Sequence, residues 1–192
     1  MIIITTQCFA PKIGGIESLM TGMAEAMSKN GEEVLVLADG KIQESDQKQT
    51  YKIIRFTGWK PLRRYAKAKY LEKICKERDV KAIYADSWKS IEYIKKNKTK
   101  ILVLAHGTEI PKQYWTLMLD TMRFKKNRII NSYKNVYKIL ANSSYTKDLM
   151  QASLKIDTNL IKIIHPGIDV YDDFITEDDK KNKITTSVYL FI

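Results

Sequence analysis

Short apolar runs alternate with longer amphipathic segments along the whole chain. Residues 1–5 (MIIIT) form a continuous apolar run, followed by a loop and a predicted helix over 15–30. On that helix Ile16, Leu19, Met20, Met23 and Met27 recur at helical spacing, and Gly31 supplies a stop. Further strands are predicted at 33–38, 51–56, 82–85, 101–105, 136–141 and 160–164. Helices are predicted between them at 61–78, 88–96, 112–134 and 143–154, with Pro61 at a favourable early position and Ser143 as a cap. Several strands are apolar throughout rather than alternating, which marks a parallel sheet covered on both faces. The expected fold is α/β: a doubly wound, Rossmann-like parallel sheet whose ligands lie at the carboxyl ends of the strands.

The pattern breaks at 171–183 (YDDFITEDDKKNK), a polar stretch that reads as a linker. Residues 184–192 (ITTSVYLFI) then resemble the first strand of another domain. The expected organisation is one domain over 1–170, a linker over 171–183, and a remnant of a second domain over 184–192.

Composition changes this picture little. The length of 192 residues suits one sizeable core, and 44% hydrophobic residues is ordinary for a globular chain. No stretch is long and apolar enough to span a membrane, and the start carries no secretory signal pattern, so a cytoplasmic protein is expected. Cys8 and Cys75 share no metal-ligand spacing and read as free thiols. The net charge of +11 points either to an anionic partner or to a lysine-rich background.

Four loops carry candidate chemistry. Phe9 to Glu17 (FAPKIGGIE) follows the first strand and opens the first helix. Gly14 and Gly15 there either admit a phosphate or sugar oxygen to free helix N–H groups, or simply make a tight turn. His106, in AHGTE after the central strand, either orients or protonates a reacting oxygen or is a solvated loop residue. Asn142 and Ser143 lie where a strand runs into a capped helix, and His165-Pro166-Gly167-Ile168-Asp169 follows the last strand as a turn.

The ordered set resembles glycosyltransferase family 4: the glycine pair, His-Gly-x-Glu, Asn-Ser-x-x-Thr and Pro-Gly-Ile-Asp. The resemblance covers about residues 1–170. It implies the N-terminal, acceptor-side half of the two-domain GT-B arrangement, and transfer of a sugar from a nucleotide-sugar donor with retention of configuration. No essential metal and no cofactor beyond the donor substrate are expected. It places His106 as the catalytic histidine near the transferred sugar. Gly14, Gly15, Glu17, Gly107, Glu109, Asn142 and Ser143 would line the cleft, with Asp169 at the domain junction. The family's second half supplies a basic pair and a Glu-x7-Glu element that have no counterpart in this chain, so it is expected to be inactive alone. A stand-alone binding module, or one subunit of a split transferase, remains the alternative.

Basic residues beside aromatics suggest a further surface. Arg63, Arg64 and Lys67 lie near Trp59 and Tyr65, and Arg123, Lys125 and Lys126 lie near Trp115 and Phe124. They are expected to form either an anionic membrane patch, peripheral to a glycan or lipid-linked acceptor, or an ordinary solvated face. A basic protein binding membranes or nucleic acid without sugar chemistry is a further alternative, but no nucleic-acid-binding motif is present and no nucleic-acid partner is expected.

Overall fold

The computed structural model describes residues 1–95, 98–110 and 120–165, with side chains in the last stretch from residue 124 onward. Seven strands, β1 (Ile2–Thr5), β2 (Val34–Asp39), β3 (Lys52–Phe56), β4 (Ala82–Ala85), β5 (Lys100–Ala105), β6 (Lys138–Ala141) and β7 (Ile161–Ile163), form one sheet. Among the described residues five α-helices accompany them: α1 (Gly15–Lys29), α2 (Lys60–Glu77), α3 (Trp88–Ile91), α4 (Asp120–Tyr133) and α5 (Ser144–Leu154).

The strand order is β3-β2-β1-β4-β5-β6-β7, and all neighbours are parallel. The doubly wound expectation therefore holds, and the order reverses direction between β1 and β4. Such a reversal leaves a crevice where the loops after the two strands diverge.

Side-chain alternation sorts the core into two layers. Ile2, Ile4, Val34, Val36, Ala82 and Tyr84 face Met20, Met23, Ala24 and Met27 of α1. Ile3, Leu35, Leu37, Ile83 and Val103 pack with Leu71 of α2, Trp88 of α3, Tyr133 of α4 and Met150 of α5 on the opposite face. The strands are buried on both sides, which is why they read as continuous apolar runs.

Helix ends follow the expected chemistry in most places. Gly31 takes φ 83 after α1, a left-handed conformation suited to glycine. Ser143 caps α5 by accepting a hydrogen bond from the Thr146 N–H at 3.2 Å. The helix predicted over 88–96 is shorter: α3 covers Trp88–Ile91, and the chain turns at Glu92 and Tyr93. Glu92 there receives Arg64 and Arg128, so its side chain serves tertiary ion pairs. The predicted linker and the strand at 184–192 lie outside the described residues. Among the described residues no helix is long and apolar enough to cross a membrane.

Candidate functional site

The carboxyl ends of β1, β4, β5 and β6 stand side by side, and a polar network runs along them. It is centred on Asp86, the residue after β4, which is 2% exposed. The Asp86 carboxylate accepts from Thr6 Oγ1 at 2.9 Å and from the Gln7 N–H at 2.7 Å. Its other oxygen accepts from Ser90 Oγ at 2.6 Å and Ser87 Oγ at 3.2 Å. Asp86 thus ties the exit of β1 to the start of α3. Sequence reasoning passed over it; the usable signal was an acid closing the apolar run AIYA, with serines one and four residues on.

His106 leaves β5 and its Nε2 lies 3.0 Å from the Asp86 carbonyl oxygen. A carbonyl only accepts, so Nε2 carries a proton, which in a neutral ring leaves the lone pair on Nδ1. Nothing among the described residues bonds Nδ1. The His106 N–H donates to Glu109 Oε1 at 3.1 Å, which closes the loop on itself. Between them Gly107 has φ 84, and a Cβ added to it would come within 2.9 Å of Thr146 Oγ1. Thr146 is in turn held by Asn142, whose Oδ1 accepts its hydroxyl at 2.6 Å. His106, Gly107, Glu109, Asn142 and Ser143 therefore form one connected assembly.

Gly107→Ala meets both the left-handed backbone and the Thr146 contact. A loss of about 1–3 kcal/mol is expected, read as a lower midpoint in urea unfolding. Stability equal to the unsubstituted protein would show that the loop relaxes freely.

The Gly14–Gly15 turn lies on the β1 loop, on the other side of Asp86 from His106. Among the described residues no hydrogen bond joins it to His106. Neither glycine is demanded by a strained backbone: Gly14 is extended at φ 172, and α1 begins at Gly15. A Cβ added at Gly15 would meet nothing within 4 Å, so open space lies beside the first turn of α1. The Glu17 carboxylate folds back over Gly14. Arg55 of β3 fixes this loop from behind, pairing with Asp46 and donating to the Ala10 carbonyl. Cys8 sits in the same loop, and its thiol is pushed up to about 11 by burial and by the nearby Asp86 and Glu17 carboxylates. It is a poor nucleophile at neutral pH.

The basic patch is corrected in part. Lys67 is 1% exposed, and its ammonium donates to the Thr6 carbonyl at 2.7 Å and Asp39 Oδ1 at 2.8 Å. Arg63 pairs with the other Asp39 oxygen at 2.8 Å, and Arg64 with Glu92 at 3.1 Å. Buried carboxylates claim all three cations: Lys67 is withdrawn from the surface, while Arg63 and Arg64 are half-buried. Burial lowers the Lys67 pKa, against the opposing pull of Asp39. Lys125 is exposed and Lys126 half-buried on α4. The side chain of Arg123 and all of Asp169 lie outside the described residues.

Known proteins share this architecture. The sequence profile of Glycosyltransferase Family 4 matches residues 13–171. No curated protein sequence matches the chain. Among solved structures, HepE of Anabaena in complex with UDP aligns with TM-score 0.60 at 16% identity, over 88% of this chain and 44% of that one. A glycosyltransferase from Rickettsia africae aligns with TM-score 0.61 at 16% identity, over 94% of this chain and 48% of that one. The lipopolysaccharide outer core galactosyltransferase WaaB, in its apo form, aligns with TM-score 0.56 at 14% identity, covering 90% and 47%. The chain thus spans a little under half the length of these structures.

Proposed function

The chain belongs to glycosyltransferase family 4, and on that premise we propose that it is the acceptor-side half of a sugar transferase. The donor is a nucleotide-sugar, as in the HepE structures with UDP and UDP-glucose, and the acceptor is a glycan or a lipid-linked sugar at the cytoplasmic side of a membrane. Transfer proceeds with retention of configuration and without an essential metal. A second, donor-binding domain completes the cleft, in the same polypeptide or a separate one.

One observation supports this reading most directly. The His106 assembly and the Gly14–Gly15 turn flank the reversal of strand order, where an open parallel sheet takes its ligands. With Nε2 donating to the Asp86 carbonyl, Nδ1 of His106 is the ring atom left to accept from a sugar hydroxyl. The first turn of α1 offers N–H groups to the diphosphate that leaves, once the Glu17 carboxylate swings off Gly14. Glu109, Gly107, Asn142 and Ser143 hold His106 in place rather than react.

The test is release of nucleoside diphosphate from a panel of nucleotide-sugars, with and without a donor-binding domain supplied. No turnover is expected from the chain alone, and turnover is expected from the completed pair. In that pair His106→Ala should cost about a hundredfold or more while leaving the thermal midpoint in place. Turnover by the isolated chain would remove the need for a second half. Full activity of His106→Ala would remove the site.

A further inference from the structure

Gly14 is a glycine that its own backbone does not require. At φ 172 the chain there is extended, a conformation open to any residue. What excludes a side chain is Glu17, because a Cβ at Gly14 would collide with its carboxylate. The room left by the glycine is therefore filled from within the chain, and by an anion. The opposite holds at Gly15, where an added Cβ meets nothing within 4 Å.

A second contact fixes the carboxylate where it lies. The Cys8 thiol is hydrogen-bonded to Glu17, which joins the exit of β1 to the first turn of α1. Burial and the nearby carboxylates keep that thiol protonated through neutral pH, so it stands as a donor. Lys12, exposed in the same loop, bears on the thiol with the opposite sign. The Gly15, Ile16 and Glu17 N–H groups lie ahead of the first intrahelical bond, from the Ser18 N–H to the Gly14 carbonyl at 2.9 Å. Among the described residues no side chain accepts from them. A negative charge is thus held at the positive end of α1 by a thiol, while the N–H groups of the helix stay free.

We propose that Glu17 is a displaceable stand-in for the diphosphate of the donor. While the site is empty its carboxylate lies over Gly14, held by Cys8. An entering diphosphate drives it off and takes the first turn of α1. After transfer the carboxylate returns and helps to expel the diphosphate product. The inference rests on the sugar-transfer reading for the identity of the anion, and adds the residue that sets how loosely the anion is held.

The test is titration of the intact, nitrogen-15-labelled chain with inorganic pyrophosphate in metal-free buffer, followed at the Gly15 and Ile16 amides. Glu17→Gln and Glu17→Ala should each tighten binding by about two- to tenfold, the range for a charge at a helix N-terminus. Cys8→Ala releases the carboxylate and should tighten binding about twofold. Added to Glu17→Ala, it should change nothing further, because the thiol then has nothing to hold. Glu25→Gln is the control for charge alone. It lies about 12 Å along α1 from Glu17, beyond the Debye length at physiological salt, so little change is expected. Thermal melts check that each variant is folded. Gly15 shifts with equal or weaker affinity in the Glu17 variants would overturn the inference alone. So would a gain from Glu25→Gln as large as that from Glu17→Gln, or an undiminished gain from Cys8→Ala on top of Glu17→Ala. Amides of α1 that shift in no variant would overturn the diphosphate site itself, and the inference with it.

Discussion

Replacing Lys67 with methionine is expected to cost about 3–5 kcal/mol, although the new side chain nearly matches the old in volume. The substitution leaves Asp39 buried with Arg63 as its remaining ion-pair partner, and it strips the Thr6 carbonyl of its donor. Charges taken out of water are tolerated only when paired, so the loss comes from the abandoned partner more than from the pair itself. A second substitution, Asp39→Leu, removes the stranded charge. The double variant should therefore recover at least half of the loss, because the head of Arg63 can turn to water from its partly exposed position. Urea unfolding of the two single variants and the double variant measures the coupling. Losses that simply add would show that Lys67 and Asp39 act independently.

Asp86→Ala should have a comparable effect for a different reason. Four donors converge on one carboxylate, and hydrogen bonds to a charged acceptor contribute about 1.5–3 kcal/mol each, with incomplete additivity. A loss of about 3–5 kcal/mol, or a fall in Tm of roughly 10 °C, follows for a chain of this size. Asp86→Asn keeps the shape and one acceptor oxygen, so it should lose about half as much. The bond to His106 uses the backbone carbonyl, which both substitutions keep. In Asp86→Asn, nitrogen NMR of the ring should still report the proton on Nε2. A switch to Nδ1 would show that the carboxylate, not the carbonyl, sets the state of the ring.

These two residues also mark where sequence reading reached its limit. The sheet was legible because each parallel strand, buried on both faces, is written as an unbroken apolar run. The position of His106 at a strand end was legible because it follows one such run, ILVLA, directly. Ser143 was legible because capping is a local affair of three residues. Lys67 was misplaced because its partners, Asp39 and Thr6, lie 28 and 61 positions away. A lysine within a run of cations on a helix looks the same whether it points outward or inward. Asp86 was missed because its role exists only once β1 and β4 are neighbours. The short α3 was overrun because the apolar spacing at Ile91 and Ile94 fits a helix, while Glu92 is drawn into ion pairs that local spacing does not encode. The order of the strands, unlike their existence, is a property of pairing across the chain.

The reversal between β1 and β4 also governs when the site comes into being. Ile2 pairs with Ala82, and Thr6 Oγ1 bonds Asp86 across 80 residues. Closing so long a loop costs chain entropy before any contact repays it, and non-local pairings of this kind slow folding. On a growing polypeptide β1 can find β2 early, but its other edge stays unpaired until β4 has been made. Until then the edge is a template for wrong strand pairing. β1, the strand that carries the Gly14–Gly15 loop to the candidate site, is therefore a late-completed and vulnerable element during synthesis.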